Sequence, residues 1–352
     1  MKTLVLGGKR VGVGRPCFVI AEAGVNHNGN LDTAIRMVEA AVLARADAVK
    51  FQTFRTDKLV TPSAPMAGYQ SANIGRAGTQ REMLAALELS EQAHRKLAAL
   101  CRRKGILFLS TPFDEESADF LDELGIPAFK IGSGELTNLP FLAHVARKRK
   151  PMIVSTGMAD LREVGQAVQT IRRAGNSRII LLHCVSAYPA DPATVNLRAM
   201  ATLSGRFGVP AGFSDHTRGI EVAVGAAALG ACVIEKHFTL DRRMSGPDHR
   251  ASLEPRELAA MVYAIRTVQS ALGDGVKRPV AAERNTARVA RRSLVAARNI
   301  KAGEKLDRVA IVIKRPGTGL PASALESLVG RRAKMNIFGG TLLKPTMFGG
   351  SA

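Results

Sequence analysis

Phe213-Ser214-Asp215-His216-Thr217 and, further on, Glu235-Lys236-His237-Phe238 are the stretches that decide how this chain is read. Each closes a short apolar, strand-like run, residues 209–213 and 232–234, so each sets one imidazole where a strand gives way to a loop. Two histidines on neighbouring strand ends can grip one divalent metal ion, since neutral imidazole is a common ligand for such ions. Asp215 beside His216 and Glu235 two positions before His237 stand ready to orient the rings. The plain alternative is a pair of core-edge histidines bonded to backbone, and the rest of the chain has to decide between them.

The same grammar recurs upstream. Apolar runs ending in polar, chemically capable residues occupy residues 18–26 (FVIAEAGVN), 48–54 (AVKFQTF), 106–113 (ILFLSTPF), 128–135 (AFKIGSGE), 151–158 (PMIVSTGM) and 179–189 (IILLHCVSAYP). With the two histidine strings they make eight predicted strands. Helical patterns lie between most of them, with legible punctuation: Ser90 opening a helix that Gly105 closes, Asp160 and Glu163 as a capping box with Gly175 as the stop, and Pro255 near the start of a helix that ends by Gly273. Eight strands alternating with helices predict a (β/α)8 TIM barrel, whose strand-end loops share one face. Glu22, Lys50, Thr111, Lys130, Ser133, Glu135, Ser155, His183, Ser214, His216, Glu235 and His237 should then converge on one pocket, which points to an enzyme.

Composition agrees. A chain of 352 residues, 46% of them hydrophobic, suits a barrel plus a small appendage. No apolar run reaches the ~18 residues of a membrane span, and the opening MKTLVLGGKRVGVG is too broken by Gly and Lys for a secretory signal. Cys17, Cys101, Cys184 and Cys232 are scattered without a C-x-x-C and read as reduced residues of a cytoplasmic protein. Cys184 follows His183 on a strand, where neighbours face opposite sides, so it reads as a packing residue. The net charge is +20, with 16 Lys and Arg against 4 Asp and Glu in residues 275–352. A nucleic-acid site would want aromatics among those cations, and the chain has no Trp and three Tyr; steering of a small anion or solvation of the surface fits better.

After Gly273 the texture changes to short β-like runs, residues 293–297, 309–314 and 342–345, separated by turn-rich strings. The boundaries expected are a barrel over 1–275, a basic linker over 276–290 and a small, mostly β domain over 291–352. Arg315 should end a strand on a Pro-Gly turn, as a solvated residue or as a guanidinium offered to a ligand. In the barrel, Lys50 and Lys130 with the hydroxyls of Thr111, Ser133, Ser155 and Ser214 make a donor-rich wall suited to a phosphorylated carboxylate. No G-x-x-x-x-G-K-[ST] loop is present for a nucleoside triphosphate. Beside that wall stand Glu22, Glu135, Glu235 and the histidine pair, a set suited to metal polarisation of a carbonyl and carboxylate-borne proton transfer.

These residues resemble a known family. IAEAGVNHNG (20–29), VKFQTF (49–54), STPFD (110–114), KIGSGE (130–135), STGM (155–158), HCVSAYP (183–189), SDHT (214–217), EKHFTLD (235–241) and GPDH (246–249) look like the sialic acid, or N-acetylneuraminate, synthases. RRSLVAARNIKAGE (291–304) and KRPGTG (314–319) look like the antifreeze-protein-like SAF domain attached to them. The resemblance implies condensation of phosphoenolpyruvate with an open-chain acylamino-mannose. It implies Mn2+ or Mg2+ on His216 and His237, and phosphoenolpyruvate held by Lys50, Thr111, Lys130, Ser133, Ser155 and Ser214. It further implies Glu22 moving protons, with Gln52, Asn73, Glu135, Tyr188 and Asp248 toward the sugar and Ser186 and Glu235 among the other substrate-binding residues. A domain-swapped homodimer would bring Arg315 to the N-acyl group in the partner's site.

Some members carry Asn where this chain has Ser186, and GPDHRASLEP (246–255) resembles members making neuraminic or legionaminic acid more than those making pseudaminic acid. Three other readings remain at this stage: a related synthase acting on another aldose or a phosphorylated sugar, a catalytically dead carbohydrate-binding protein, and a nucleic-acid binder built on the basic tail.

Overall fold

A computed structural model describes residues 3–74 and 78–349. The eight predicted runs form one parallel sheet. After a small antiparallel hairpin, β1 (Leu4–Leu6) and β2 (Lys9–Val11), come β3 (Phe18–Gly24), β4 (Ala48–Thr53), β5 (Leu107–Pro112), β6 (Phe129–Ile131), β7 (Met152–Ser155), β8 (Ile179–Cys184), β9 (Ala211–Asp215) and β10 (Val233–His237). Hydrogen bonding runs in the order β5-β4-β3-β10-β9-β8-β7-β6, and β5 and β6 meet side by side at the seam, so the sheet is a nearly closed TIM-like barrel.

Both strand faces are buried, which is why these runs read as continuously apolar rather than alternating. The outward face packs on the surrounding helices in one large core containing Val19, Phe51, Ile131, Val154, Leu181 and Ile234. The inward face, with Ile20, Leu109, Ile153, Ile180 and Val233, shares a second cluster with Leu4, Leu6 and Val11 of the hairpin. That filling leaves the strands' C-terminal ends as the place for polar chemistry.

Helix punctuation follows the sequence. Ser90 accepts from the Ala93 N–H to start the helix Glu91–Lys104, and Gly105 ends it at φ +74. Asp160 and Glu163 form a reciprocal capping box at the start of Leu161–Arg173. The helix Pro255–Ala271 has its proline in the first turn, where the missing N–H costs nothing.

The chain divides into two compact units, Met1–Gly273 and Asp274–Ala352. In the second, β11 (Ser293–Ala296) pairs antiparallel with β12 (Ile311–Lys314) over a core of Leu294, Ile300, Leu306, Ala333, Ile337, Leu343 and Phe348. Two details differ from expectation. The run 342–345 forms no strand, because Leu342 makes only an isolated bridge to Val295. The basic stretch before β11 is not extended linker throughout but carries the helix Arg284–Ala290. No helix among the described residues is long and apolar enough to cross a membrane.

Candidate active site

Alternation along each strand selects which residues look into the barrel. Glu22 on β3, Lys50 and Gln52 on β4, Thr111 on β5, Lys130 on β6, Ser155 on β7, Ser214 on β9, and Glu235 and His237 on β10 line one cavity of about 550 Å3, together with His216 just past β9. Ser133 and Glu135 join them from a single 3-10 turn after β6. Ser186, Tyr188 and Asp248 complete this part of the lining.

The centre is an ion cluster removed from water: Glu22 is 1%, Lys50 3%, Lys130 3% and Glu235 4% exposed. Lys50 Nζ lies 2.7 Å from Glu22 and 3.8 Å from Glu235, and donates to Thr111 Oγ1 at 2.8 Å. Lys130 Nζ sits 3.3 Å from Glu235, which also accepts from Ser214 Oγ at 3.0 Å. Burial is the largest influence on Glu22 and lifts its pKa to about 7, against the pull of Lys50 and helped by the negative charge of Glu235. For Glu235 burial acts in the same direction, but Lys130 and Lys50 outweigh it and hold the carboxyl down at about 2. Two neighbouring carboxyls are thus pushed apart, one poised near neutrality and one fixed as an anion.

The backbone makes room for this. Strand register slips between Glu22 and Gly24, and Gly24 has φ +52; a Cβ there would stand 3.2 Å from Glu22 Oε1 and 3.5 Å from His237. Gly157 approaches even closer, since its N–H donates to Ser133 Oγ at 3.0 Å and a Cβ would lie 2.3 Å from Ser186 Oγ.

The two imidazoles lie with ring centroids 5.5 Å apart, and Tyr188 covers both, 4.1 Å from His216 and 5.9 Å from His237. His216 Nδ1 donates to the Val185 carbonyl at 2.7 Å, which leaves the lone pair on Nε2. Burial, then the neighbouring His216, keeps His237 neutral, and its buried Nδ1 has no hydrogen-bond partner. His216 differs: burial pulls its pKa down, but Cys184 beside it outweighs burial and raises it, so His237 is the ring held neutral, and His216 offers Nε2 to a divalent ion when deprotonated. Among the described residues no group of three or more His, Cys, Asp and Glu could hold such an ion. Asp248 Oδ2 stands 4.0 Å from His237, its pKa raised by burial to about 6.

Several expectations about orientation are corrected. Asp215 and Glu235 do not serve the imidazoles. Asp215 faces outward with Lys236, 2.7 Å away and equally buried, and it accepts from the Thr217 N–H and hydroxyl. Glu235 turns to the lysines. His183 was expected in the pocket and Cys184 in the packing; the strand places them the other way round. His183 looks outward, hydrogen-bonded to the Val195 carbonyl and stacked on Phe213, while Cys184 lines the cavity with Sγ 3.6 Å from Ser133 Oγ and 3.7 Å from His216 Nδ1. Asn73 is not part of the lining but donates to the carbonyl of the lining residue Pro247 at 2.6 Å. Arg315 is exposed at the end of β12 in the second unit.

One wall was missed. Val25, Leu59, Val60, Met83, Leu84, Leu87 and Phe113, with Gln70 and Gln80 among them, close the cavity on the side of the long β4–β5 connection. The signal available was the capping box at Thr79 and Glu82, which marks that connection as structured rather than idle.

Comparison with known proteins fits this geometry. Residues 37–277 match the NeuB family and residues 291–349 match the SAF domain. An N,N'-diacetyllegionaminic acid synthase of Legionella pneumophila is 48% identical over 341 residues, 96% of either chain. A pseudaminic acid synthase of Campylobacter jejuni is 36% identical over 331 residues, 94% of this chain and 96% of that one. The crystal structure of an N-acetylneuraminic acid synthetase from Leptospira borgpetersenii, in complex with citrate, superposes with a TM-score of 0.71 at 35% identity, covering 81% of this chain and 95% of that one.

Proposed function

Because this chain belongs to the NeuB family and carries a SAF domain behind its barrel, we propose that it condenses phosphoenolpyruvate with an open-chain N-acyl mannosamine-type sugar, yielding a nine-carbon sialic acid and phosphate. The observation that carries the reading is the buried cluster of Lys50, Lys130, Glu22 and Glu235 facing His216 and His237 across one cavity.

Each residue then has a task. Lys50, Lys130, Thr111, Ser133, Ser155 and Ser214 hold the phosphate and carboxylate of phosphoenolpyruvate; the buried Ser155 hydroxyl has no partner among the described residues, so it is available to an anion. The sugar lies toward Gln52, Glu135, Ser186, Tyr188 and Asp248, with Asn73 holding Pro247 beside it. A Mn2+ or Mg2+ ion on His216 and His237 supplies Lewis-acid polarisation of the aldehyde when bound.

The methylene carbon of phosphoenolpyruvate bonds to the aldehyde carbon, and Glu22 gives its proton to the aldehyde oxygen. The resulting Glu22 carboxylate takes a proton from the water that adds to the former enol carbon. Collapse of that adduct breaks the carbon–oxygen bond to phosphate, the hydroxyl proton leaves with the phosphate, and the keto acid is released. Glu22 ends protonated, as it began. Its pKa of about 7 suits both halves of this exchange.

In this reading the second unit crosses to the partner of a domain-swapped homodimer and Arg315 meets the sugar's N-acyl group. Four buried, unbonded cysteines suit the reducing cytoplasm. The test is phosphate release from phosphoenolpyruvate with Mn2+ in the presence of N-acetylmannosamine or its 6-deoxy diacetamido analogue. Turnover with either sugar is expected; binding of phosphoenolpyruvate without turnover of any acylamino-mannose would refute the reading.

A further inference from the structure

The strings TRGI (217–220), LDRR (240–243) and DHRAS (248–252) carry arginines for which the barrel cavity has no use. Arg218, Arg242 and Arg250 converge instead on a separate cavity of about 270 Å3, with Gly219 and Ser252 also in its wall. None of these residues lines the barrel cavity. β9 and β10 are the seventh and eighth strands of the barrel; Arg218 comes from the connection after the seventh, Arg242 and Arg250 from the one after the eighth. The loops after those two strands are where TIM barrels of many chemistries hold a phosphate group.

Three guanidiniums around one small hollow repel one another, and an anion set among them relieves that repulsion. Glu257 partners Arg242, and Glu221 beside Gly219 accepts from the Ile220 N–H. Arg218 and Arg250 are exposed, so their planar forks can close on the oxygens of a ligand. At about 270 Å3 the cavity falls below the ~300–1,000 Å3 of a drug-sized ligand site, which favours a small ion. Its wall is tied to the loops that carry the barrel's chemistry. Ser252 Oγ donates to the Asp248 carbonyl at 2.7 Å, and Arg218 follows Thr217, whose carbonyl accepts from Lys236.

We propose that this cavity is a second anion site, which binds phosphate or the phosphate end of a small monoester. The bound ion links the turn that presents His216 to the loop that presents Asp248. The site is independent of the reaction assigned to the barrel.

Equilibrium dialysis of labelled inorganic phosphate against the full chain, at constant ionic strength, is the experiment. The wild type should bind phosphate saturably, and Arg218→Gln and Arg250→Gln should each weaken that binding by about tenfold or more, the loss of one charge-assisted contact. Phosphate held in the barrel cavity would form a second class of site whose affinity neither variant moves. Arg242 stays in place, because removing it would strand Glu257. Both substituted arginines are exposed, so the variants should keep the parent's thermal midpoint in phosphate-free buffer; should one of them lose its thermal transition, the other carries the test. A parallel titration with glycerol phosphate separates the sources. Tighter binding than inorganic phosphate identifies a monoester and weaker binding the free ion, and either supports the site. Equal phosphate binding in the wild type and both variants, or no saturable binding of either probe to the wild type, overturns it.

Discussion

A carboxyl with a pKa of about 7 is half protonated near neutrality, and Glu22 reaches that state because burial outweighs the attraction of a lysine only 2.7 Å away. In the proposed reaction Glu22 protonates the aldehyde oxygen and must carry its proton when the sugar arrives. The kcat/KM profile should therefore fall as pH rises through about 7. Glu22→Gln should lower kcat by ~100-fold or more and abolish that alkaline limb, whereas Glu22→Asp should retain a limb at a shifted pH. An unchanged limb in Glu22→Gln would assign the titration to another group. At this scale the types of the site residues were legible in the sequence but their directions were only partly so. His183 and Cys184 are adjacent and both chemically capable, and the alternation rule says that one faces in without saying which. The answer depends on strand register, which is fixed by packing across the barrel: Ile180 and Leu182 fill the interior, so Cys184 follows them inward. Asp215 was misread for the same reason, because a sequence neighbour of His216 on a strand end looks the opposite way.

Among elements, β9 and β10 carry both imidazoles, and their outward faces are pinned by the Asp215–Lys236 pair. Lys236 also donates to the Thr217 carbonyl, so the pair holds the turn that presents His216 as well as the strand that presents His237. Both side chains are fully buried. Lys236→Met leaves Asp215 as an unpaired buried charge and should cost ~3–5 kcal/mol of unfolding free energy. Replacing both partners with apolar residues of similar volume should restore much of that stability. Chemical denaturation measures both; a single variant as stable as the parent would mean that the pair is not what fixes the two strand ends. The strands and helix caps here were readable because they rest on local rules: apolar runs of strand length, and Asp, Ser or Gly at fixed offsets from a helix end. The β4–β5 connection was not, since its short helices Thr56–Leu59 and Gln80–Ala85 owe their position to packing on Val25, Phe54 and Phe113 rather than to periodicity. That is why Asn73 was expected at the sugar and the apolar wall was not expected at all.

At the scale of the whole molecule the proposed role of Arg315 in a partner's site has a direct test. In the proposed reaction the barrel's own strand ends supply the contacts to both substrates, and the family reading gives a further role to Arg315, exposed in the other unit on the turn after β12. Two impaired chains can separate the possibilities. Glu22→Ala removes the proton carrier, and Arg315→Ala removes the guanidinium while leaving the cavity intact. Denatured together and refolded, the two should form mixed dimers. If Arg315 acts across the interface, each mixed dimer holds one site with both residues missing and one with both present, so at a sugar concentration well below the KM of Arg315→Ala activity rises above that of either parent. If Arg315 acts within its own chain, every site in the mixture lacks one residue and activity stays at the level of the parents. The same Arg315→Ala chain, assayed alone, should show a raised KM for the sugar with phosphoenolpyruvate binding nearly unchanged, because the lysines and hydroxyls proposed to hold the phosphate all belong to the barrel.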